Sequence, residues 1–350
     1  MSARWLDTSD ADAWRAALPA SRSAFGSLEF ARAIERSGGP PGALLVVEAG
    51  GAELAWPFQL RTLDDLPFAS SAPAGVRGDV ATPPFTGPYA AHEPSDEQLA
   101  ALGPELDVGF AQHGLVADFT HLHPFAAERR AVPEPVADRE VVWVDTTLDP
   151  ERLWRDSYSK ACRKNVNRAA REGVSVRPAA SEADIAEFHR IYLQTMERTG
   201  ALAGYFYPVQ RFLAIFHEMP ANARFALVEH GGRVIAATLY LHDDEDVYSF
   251  LGGADREYQQ LRPTNAMVHD TIGWAREQGK RRLILGGGYR LGDGIFRFKA
   301  SFSPLRATLE LERRVRMPAE YDALLRAWND HHGAHADPAG YFPAYRADPK

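Results

Sequence analysis

Two segments of the chain share one pattern of apolar and polar positions. Residues 44–60 read LLVVEAGGAELAWPFQL and residues 225–241 read FALVEHGGRVIAATLYL, each with two apolar runs joined by a glycine pair. Paired glycines supply the positive φ angles of a tight turn, so both segments are predicted to be β-hairpins. At an offset of 181 residues, stretches 47–60 and 228–241 are identical at six of fourteen positions. This repeat favours a duplicated domain, with chance similarity of two hairpins as the alternative.

The second half of the chain has the clearer periodicity. An amphipathic helix is predicted over residues 184–198, with Ser181 as its N-cap, because apolar side chains recur there every three or four residues. Pro263 and Gly279 bracket another predicted helix. Further helical or strand-like patterns cover residues 154–172, 224–230, 233–241, 247–251, 282–285 and 308–313. Their order is that of an acetyltransferase-like α/β domain.

Changes in composition predict the division of the chain. Residues 74–90, AGVRGDVATPPFTGPYA, are rich in proline and glycine and are predicted to form a long loop. The boundary between the domains is expected near residues 145–151. We therefore predict an N-terminal domain over residues 1–148, a C-terminal domain over 149–330 and a loosely packed tail over 331–350.

Composition limits the classes of protein. The 350-residue chain is 45% hydrophobic and has a formal net charge of −8, which argues against a general nucleic-acid binder. No apolar run approaches the roughly 20 residues that span a bilayer, and residues 1–18 lack a secretory pattern. The single cysteine, Cys162, fits a reducing compartment. We expect a cytoplasmic protein without membrane insertion, and a monomer.

The positive charge is concentrated in two segments. Lys/Arg outnumber Asp/Glu by eight to three in residues 151–177 and by seven to two in residues 276–299. Lys160, Lys164, Arg168 and Arg171 would form one stripe on a helix, and such a stripe can contact successive phosphates. A solvated helix face is the alternative. Lys160, Arg163 and Lys164 are expected to lower the pKa of the Cys162 thiol, although we interpret Cys162 as structural.

Residues 283–304, LILGGGYRLGDGIFRFKASFSP, form the most informative segment. If extended, Phe296 and Phe298 would face one side and the cations Arg297 and Lys299 the other. An ammonium beside a reacting carbonyl stabilises the negative charge that develops in acyl transfer. Lys299 is therefore the candidate catalytic residue, with an edge-strand lysine facing water as the alternative. Nucleophile-elbow, phosphate-loop and dinucleotide motifs are absent from the sequence, and neither a metal nor a cofactor is expected.

These motifs together resemble the Fem family of peptidoglycan-bridge aminoacyltransferases and their natural-product relatives. The similarity rests on YSKACRKNVNRAAREGVSV, TMERTG with the aromatic residues 205–207, VYSFLGGA, LRPTNAMVHDTIGWAREQG, and LGGG followed by FRFKASFS. It runs in order from about residue 119 to residue 311. The resemblance implies an α/β fold of two fused GNAT-like domains, an aminoacyl-tRNA donor and an amine acceptor held in a cleft.

The resemblance also assigns roles to single residues. Lys299 with Phe298 matches the FK pair of the family, in which the lysine assists the transferred carbonyl. Arg198, Tyr205, Tyr248 and Phe298 are expected to bind the acceptor, although Arg198 could instead cap its helix and Tyr248 could be core. Lys160, Arg163, Lys164, Arg168 and Arg297 are expected to bind the donor. The chain lacks the coiled-coil arm of some members, and Phe250 replaces a tyrosine of the family.

Three functions remain open. In the first, an acceptor amine attacks the aminoacyl ester of aminoacyl-tRNA, with Asp293 or Asp145 as the candidate base. In the second, the donor is an acyl-CoA, but the nearest match to its [RQ]-x-x-G-x-[GA] turn begins at Gln260 and has Pro263 and Asn265 at the small positions. In the third, the chain is a non-catalytic binding module on the same fold.

Overall fold

The glycine pairs close both predicted hairpins. Strands β2 (Gly42–Ala49) and β3 (Ala52–Thr62) are antiparallel, as are β8 (Ala223–His230) and β9 (Arg233–His242). The two glycines of each turn have φ angles between 57° and 77°, a left-handed conformation that side chains with a Cβ disfavour. The prediction of two equivalent hairpins is confirmed.

The chain divides into two units. The computed structural model describes residues 2–126, 128, 132, 135–288, 290, 292–337 and 340–349. The first unit comprises Met1–Asp138 and Leu309–Lys350, and the second comprises Arg139–Thr308.

A mixed sheet with the strand order β1-β2-β3-β4-β5-β12 forms the centre of the first unit. Its remaining strands are β1 (Ser2–Asp7), β4 (Gly78–Ala81), β5 (Leu115–Leu122) and β12 (Arg306–Val315), and its helices are α1 (Ala11–Ala17), α2 (Leu28–Arg36), α3 (Asp96–Gln112) and α10 (Pro318–His332). Only the pair β4 and β5 is parallel among the pairs described within this sheet.

The second unit repeats this arrangement in the order β7-β8-β9-β10-β11-β6. Its remaining strands are β6 (Val136–Asp145), β7 (Ser175–Pro178), β10 (Asp246–Ala254) and β11 (Arg282–Gly286). Its helices are α4 (Pro150–Arg152), α5 (Lys160–Arg171), α6 (Glu182–Thr199), α7 (Val209–Glu218), α8 (Pro263–Glu277) and α9 (Gly294–Ala300). Helix α4 continues into a π-helical turn, Leu153–Ser157. The parallel pair here is β10 and β11.

Helix α6 shows how the predicted pattern produces the core. The Ser181 side chain accepts a hydrogen bond from the backbone N–H of Asp184, which confirms the predicted N-cap. Ile185, Phe188 and Tyr192 lie on one face and are completely buried. Each buried side chain of this size contributes about 1.5–3 kcal/mol through removal of apolar surface from water.

In each unit one further strand flanks the parallel pair, and the two flanking strands come from different positions in the sequence. In the first unit, β12 pairs antiparallel with β5, whereas in the second unit β6 pairs antiparallel with β11. The division therefore differs from the predicted boundaries, because residues 309–330 group with the first unit. A stretch that follows the second half in sequence completes the sheet of the first, which no local pattern reveals.

The end of the chain is packed, in contrast to the predicted loose tail. Tyr345 is fully buried, and its hydroxyl donates to Asp79 Oδ2 at 2.9 Å. Arg346 Nε donates to the same oxygen at 2.6 Å. Asp79 lies in β4, inside the segment predicted to be a loop. That prediction missed β4 because its parallel partner, β5, is distant in sequence.

The aromatic and basic alternation near Lys299 is helical, so the extended conformation considered for it is wrong. Asp293 is the N-cap of α9, and its Oδ1 accepts a hydrogen bond from the N–H of Phe296 at 2.7 Å. The N-cap favours a helix over an extended segment here, because its side chain satisfies a backbone donor at the helix start.

None of the helices in the described ranges combines the length and the apolar character that a bilayer span requires.

Candidate active site

The parallel strands of the second unit separate near their carboxyl ends. β10 pairs with β11 from Asp246 to Tyr248, and in the described residues the pairing extends no further, although β10 continues to Ala254. A β-bulge lies between Ser249 and Leu251. Side chains are buried up to Tyr248 and only half-buried beyond it. Beyond Tyr248, β10 therefore has no pairing with β11 in the described residues, and we call this place the opening of the strand pair.

Lys299 lies at this opening. Its Nζ donates a hydrogen bond to the carbonyl oxygen of Gly287, immediately after β11, at 2.7 Å. Gly286 has a φ of 79°, and a Cβ added there would lie 3.3 Å from Nζ. Glycine at this position therefore permits both the turn of the backbone and the close approach of the ammonium group.

The surroundings of Lys299 change its acidity. Burial lowers its pKa to about 8; the nearby Asp293 opposes this shift and Arg139 adds to it. At pH 7 the ammonium form still predominates about tenfold. Lys299 thus provides a partly desolvated positive charge, which interacts more strongly with a developing oxyanion than an exposed lysine would.

Helix α5 is attached to the end of the helix that carries Lys299. Ser159, the N-cap of α5, donates its backbone N–H to the carbonyl of Ser301 at 2.8 Å. Cys162, one turn into α5, is 1% exposed, and Asn265 of α8 points its Nδ2 at the sulfur at 4.0 Å. Burial raises the pKa of Cys162 to about 11, against the weaker effect of Arg163. The expectation of a lowered thiol pKa is wrong, and the structural interpretation stands.

The predicted donor residues fall into two groups. Lys160 and Lys164 are exposed on α5, and Arg168 is half-buried with Glu172 Oε1 at 3.7 Å. Arg163 differs, because its Nη1 donates to three backbone carbonyls, those of Trp154, Arg155 and Tyr158. It ties the start of α5 to the preceding turn. On α9, Arg297 is exposed and donates to the carbonyl of Gly292 at 2.6 Å.

The predicted acceptor residues are also dispersed. Arg198 lines a cavity of about 550 Å³ together with Gln194 and residues 254–257. Tyr205 is 50% exposed at the end of a 3₁₀ turn, Ala203–Tyr205, and Leu202 before this turn is also exposed. These two predicted residues are accessible to a ligand.

Tyr248 and Phe298 take packing positions. Tyr248 is 2% exposed, and its hydroxyl donates to Asp243 Oδ2 at 2.7 Å. It therefore has the core position that we considered as the alternative. The ring of Phe298 lies 5.4 Å from that of Phe302 and packs against the core. Phe298 thus orients α9 from inside.

Sequence reasoning overlooked how Asp293 and Asp145 differ. Asp293 caps α9, and its charge acts on Lys299. Asp145 pairs in register with Arg282, at the start of β11, whereas Lys299 contacts the residue after its end. Of the two candidate bases, Asp293 is the one at the open end of β11. An aspartate three residues before the aromatic Phe296 could have indicated the capping role of Asp293.

The segment from Gln260, which is the nearest match in the sequence to a pyrophosphate-binding turn, includes the start of α8. Arg262 has a φ of 61° and Pro263 is the first helical residue, so one backbone donor is missing. The N–H groups of Asn265 and Ala266 both donate to the carbonyl of Arg262. The Asn265 side chain is buried toward Cys162. Few donors remain at this helix start for a diphosphate.

Comparison with known proteins shows a domain match in the second unit and a shared fold. Residues 156–300 match the model of the acetyltransferase (GNAT) domain. The structure is similar to that of FemX, with 13% identity, 92% of this chain and 99% of that chain covered, and a TM-score of 0.67. It is also similar to a conserved protein of unknown function from Bacteroides thetaiotaomicron, at 12% identity, 90% and 100% coverage, and a TM-score of 0.58. No curated protein matches the sequence.

The shared fold confirms the predicted tandem GNAT-like architecture, and residues 156–300 are the part of the chain that matches the acetyltransferase (GNAT) domain model. The overall fold is that of FemX.

Proposed function

We propose that this protein transfers an amino acid from aminoacyl-tRNA to a primary amine acceptor, and that Lys299 is its catalytic residue. The observation that carries this proposal is the position of Lys299 Nζ, 2.7 Å from the carbonyl oxygen of Gly287 at the open end of β11. The resemblance to the Fem family in the sequence supports the choice of donor.

In the proposed reaction, the acceptor amine attacks the carbonyl carbon of the aminoacyl ester. The carbonyl π electrons move to oxygen, and Lys299 stabilises that oxyanion as an ammonium. The intermediate then collapses, the C–O bond to the tRNA ribose breaks and the amide remains. In this proposal Asp293 takes the proton from the amine and passes it to the ribose oxygen as the C–O bond breaks, so the tRNA leaves with a free hydroxyl. Because the ester is already activated, positioning and charge stabilisation suffice without a covalent enzyme intermediate.

The basic face of α5 supports tRNA as the donor. Lys160 and Lys164 are exposed, and the helix that carries them is fixed to the end of α9 through Ser159 and Ser301. Phosphates bound along this face would therefore have a defined position relative to Lys299. The scarcity of backbone donors at the start of α8 weighs against an acyl-CoA donor.

The cavity beside Arg198 is the proposed acceptor site. Its wall combines the cations Arg198 and Arg256 with the carboxylates Asp255 and Glu257. Mixed charge of this kind suits an acceptor that carries both an amine and an anionic group. Tyr205 adds an exposed aromatic surface after α6.

The experiment is a donor comparison. Total tRNA charged with one radiolabelled amino acid at a time, and acetyl-CoA in parallel, are incubated with the protein and a panel of peptides bearing free amines. Label from aminoacyl-tRNA is expected to appear in an alkali-stable amide. Transfer from acetyl-CoA alone would overturn the proposed donor, and transfer from neither would refute the proposal for these acceptors.

A further inference from the structure

Arg262, the residue before α8, has a backbone conformation that its side chain disfavours. Its φ angle is 61°, and among the described residues only Phe85 shares a positive φ without being glycine. Glycine adopts this left-handed conformation without steric cost, whereas a Cβ crowds the following carbonyl oxygen. Backbone preference therefore does not account for arginine at this position, and its side chain is the feature that needs a role.

The Arg262 side chain is exposed and has no hydrogen bond or ion pair with any residue in the described ranges. The same holds for the side chains of Lys160 and Lys164 on α5. Six other arginines of the second unit each have a carboxylate oxygen within 3.3 Å, namely Arg177, Arg190, Arg224, Arg233, Arg281 and Arg282. The protein thus leaves three cations, on α5 and before α8, available to an anionic partner.

Two contacts give the register between α5 and α8. The hydroxyl of Tyr158, just before α5, lies 3.0 Å from His269 Nδ1. Cys162 Sγ, one turn into α5, lies 4.0 Å from Asn265 Nδ2. Four residues forward along the first segment thus correspond to four residues back along α8, so the two helices pack antiparallel.

This register brings Arg262 to the basic face of α5. Continued by three residues, it puts Arg262 level with residue 165, the neighbour of Lys164 in the sequence. Leu261 and Val166, the next pair in the same register, belong to one buried core cluster, as this arrangement requires. The unpaired cations of the two helices therefore share one surface.

The start of α8 also lies at the edge of the sheet that carries Lys299. Helix α8 connects β10 with β11, and these two strands are parallel. A helix between parallel strands begins at the edge where both strands end. Lys299 contacts Gly287, immediately after β11, at this same edge. An anion bound by Arg262 would therefore lie on the side of the second unit where transfer is proposed.

We propose that Arg262 binds a backbone phosphate near the 3′ end of the tRNA donor and so extends the basic face of α5 to a second helix. This inference rests on the proposed tRNA donor. The amino acid is carried at the 3′ end of tRNA, so the phosphates closest to the ester must pass the sheet edge that holds Lys299 and Arg262. The disfavoured backbone conformation is retained because the guanidinium at this position contributes to binding.

The test measures filter binding of the full chain to uncharged tRNA and to an RNA hairpin that copies the acceptor stem with its single-stranded 3′ end. Arg262→Gly should weaken binding of both RNAs roughly 3- to 10-fold at about 0.1 M salt and reduce the salt slope by roughly one unit. Because glycine fits a φ of 61°, the unfolding temperature of this variant should stay at or above that of wild type. Arg276→Gln, at the exposed other end of α8, is the matched control and should bind as wild type.

Two further variants separate the charge from the backbone. Arg262→Gln should lose as much affinity as Arg262→Gly, whereas Arg262→Lys should retain most of it. Wild-type affinity in the Gly and Gln variants would overturn the inference and leave the tRNA donor intact. So would weaker binding of tRNA without any change for the hairpin, since the contact would then lie away from the 3′ end. A wild-type protein that binds neither RNA would refute the tRNA donor itself, and this inference with it.

Discussion

In the first unit, β5 remains hydrogen-bonded to the chain beyond the end of β4, whereas in the second unit β10 and β11 separate after three residue pairs. The N–H of Thr82 donates to the carbonyl of Phe119 at 3.0 Å, and Thr86 exchanges hydrogen bonds with His121 and His123 at 3.1 and 2.8 Å. The equivalent pairing in the second unit ends at Tyr248 and Ile284.

The helices that connect the two strands of each parallel pair also begin differently. α3 begins with a capping box between Ser95 and Gln98, so its first backbone donors are satisfied from within the chain. α8 begins at Arg262 and Pro263 without a side-chain cap among the described residues. The duplicated fold therefore has one half in which the pairing beside β5 continues and one half in which, among the described residues, the pairing of β10 with β11 ends near Lys299. We therefore propose the second unit as the place of transfer.

The largest expected effect comes from removing the charge at the open strand pair. Lys299→Ala should lower kcat by about 10²-fold or more, because loss of one oxyanion donor typically costs roughly 2.7–4 kcal/mol. Lys280→Ala is the matched control, since Lys280 Nζ also donates to a backbone carbonyl, that of Asp243. Steady-state transfer kinetics and thermal unfolding of both variants separate catalysis from stability. Equal loss of turnover in both variants would contradict the assignment.

Reversal of charge on α5 should have the next largest effect. Replacing Lys160, Lys164 and Arg168 with Glu should weaken tRNA binding and reduce its salt slope by roughly one unit for each lost phosphate contact. A filter-binding series across salt concentrations measures both quantities. The control replaces Arg276 and Arg281, which are exposed at the other end of α8. If the control changes affinity as much as the α5 variant, binding reflects net charge instead of this face.

Crowding the open strand pair should have a smaller effect. Gly286→Ala adds a Cβ 3.3 Å from Lys299 Nζ at a φ of 79°, and we expect kcat to fall roughly tenfold through displacement of the ammonium. Gly232→Ala imposes similar strain at a φ of 77° with no heavy atom within 4 Å. Both variants should lose about 1–2 kcal/mol of stability. Equal kcat values for the two would show that the space beside Nζ is unimportant.

Local signals in the sequence predicted much of each unit. Glycine pairs identified both hairpins, and Ser181 with its apolar periodicity identified α6, because turns and caps depend on neighbouring residues. The same approach failed where distant segments determine the structure. β4 was hidden in a segment rich in proline and glycine, and the position of β12 beside β5 depends on residues nearly 200 positions apart.

The candidate site was predictable in part. The FK pair pointed to Lys299, but the capping action of Asp293, which makes the segment helical, was overlooked. Arg163 belongs to the same basic run as Lys164, yet its guanidinium contacts backbone carbonyls because it faces the preceding turn. Spacing alone does not distinguish an exposed cation from one that ties two segments together.

The central claim is that Lys299 acts as an ammonium, and the pH dependence of transfer tests it most directly. The ratio of wild-type to Lys299→Arg single-turnover rates cancels the ionisation of the acceptor amine, which both enzymes share. Because burial lowers the pKa of Lys299 to about 8, its charge is present below that pH and is lost above it, whereas arginine stays charged. We predict a constant ratio below about pH 8 that falls roughly tenfold per pH unit above it. A ratio that rises with pH through this range, as for a lysine acting as a base, would contradict the account.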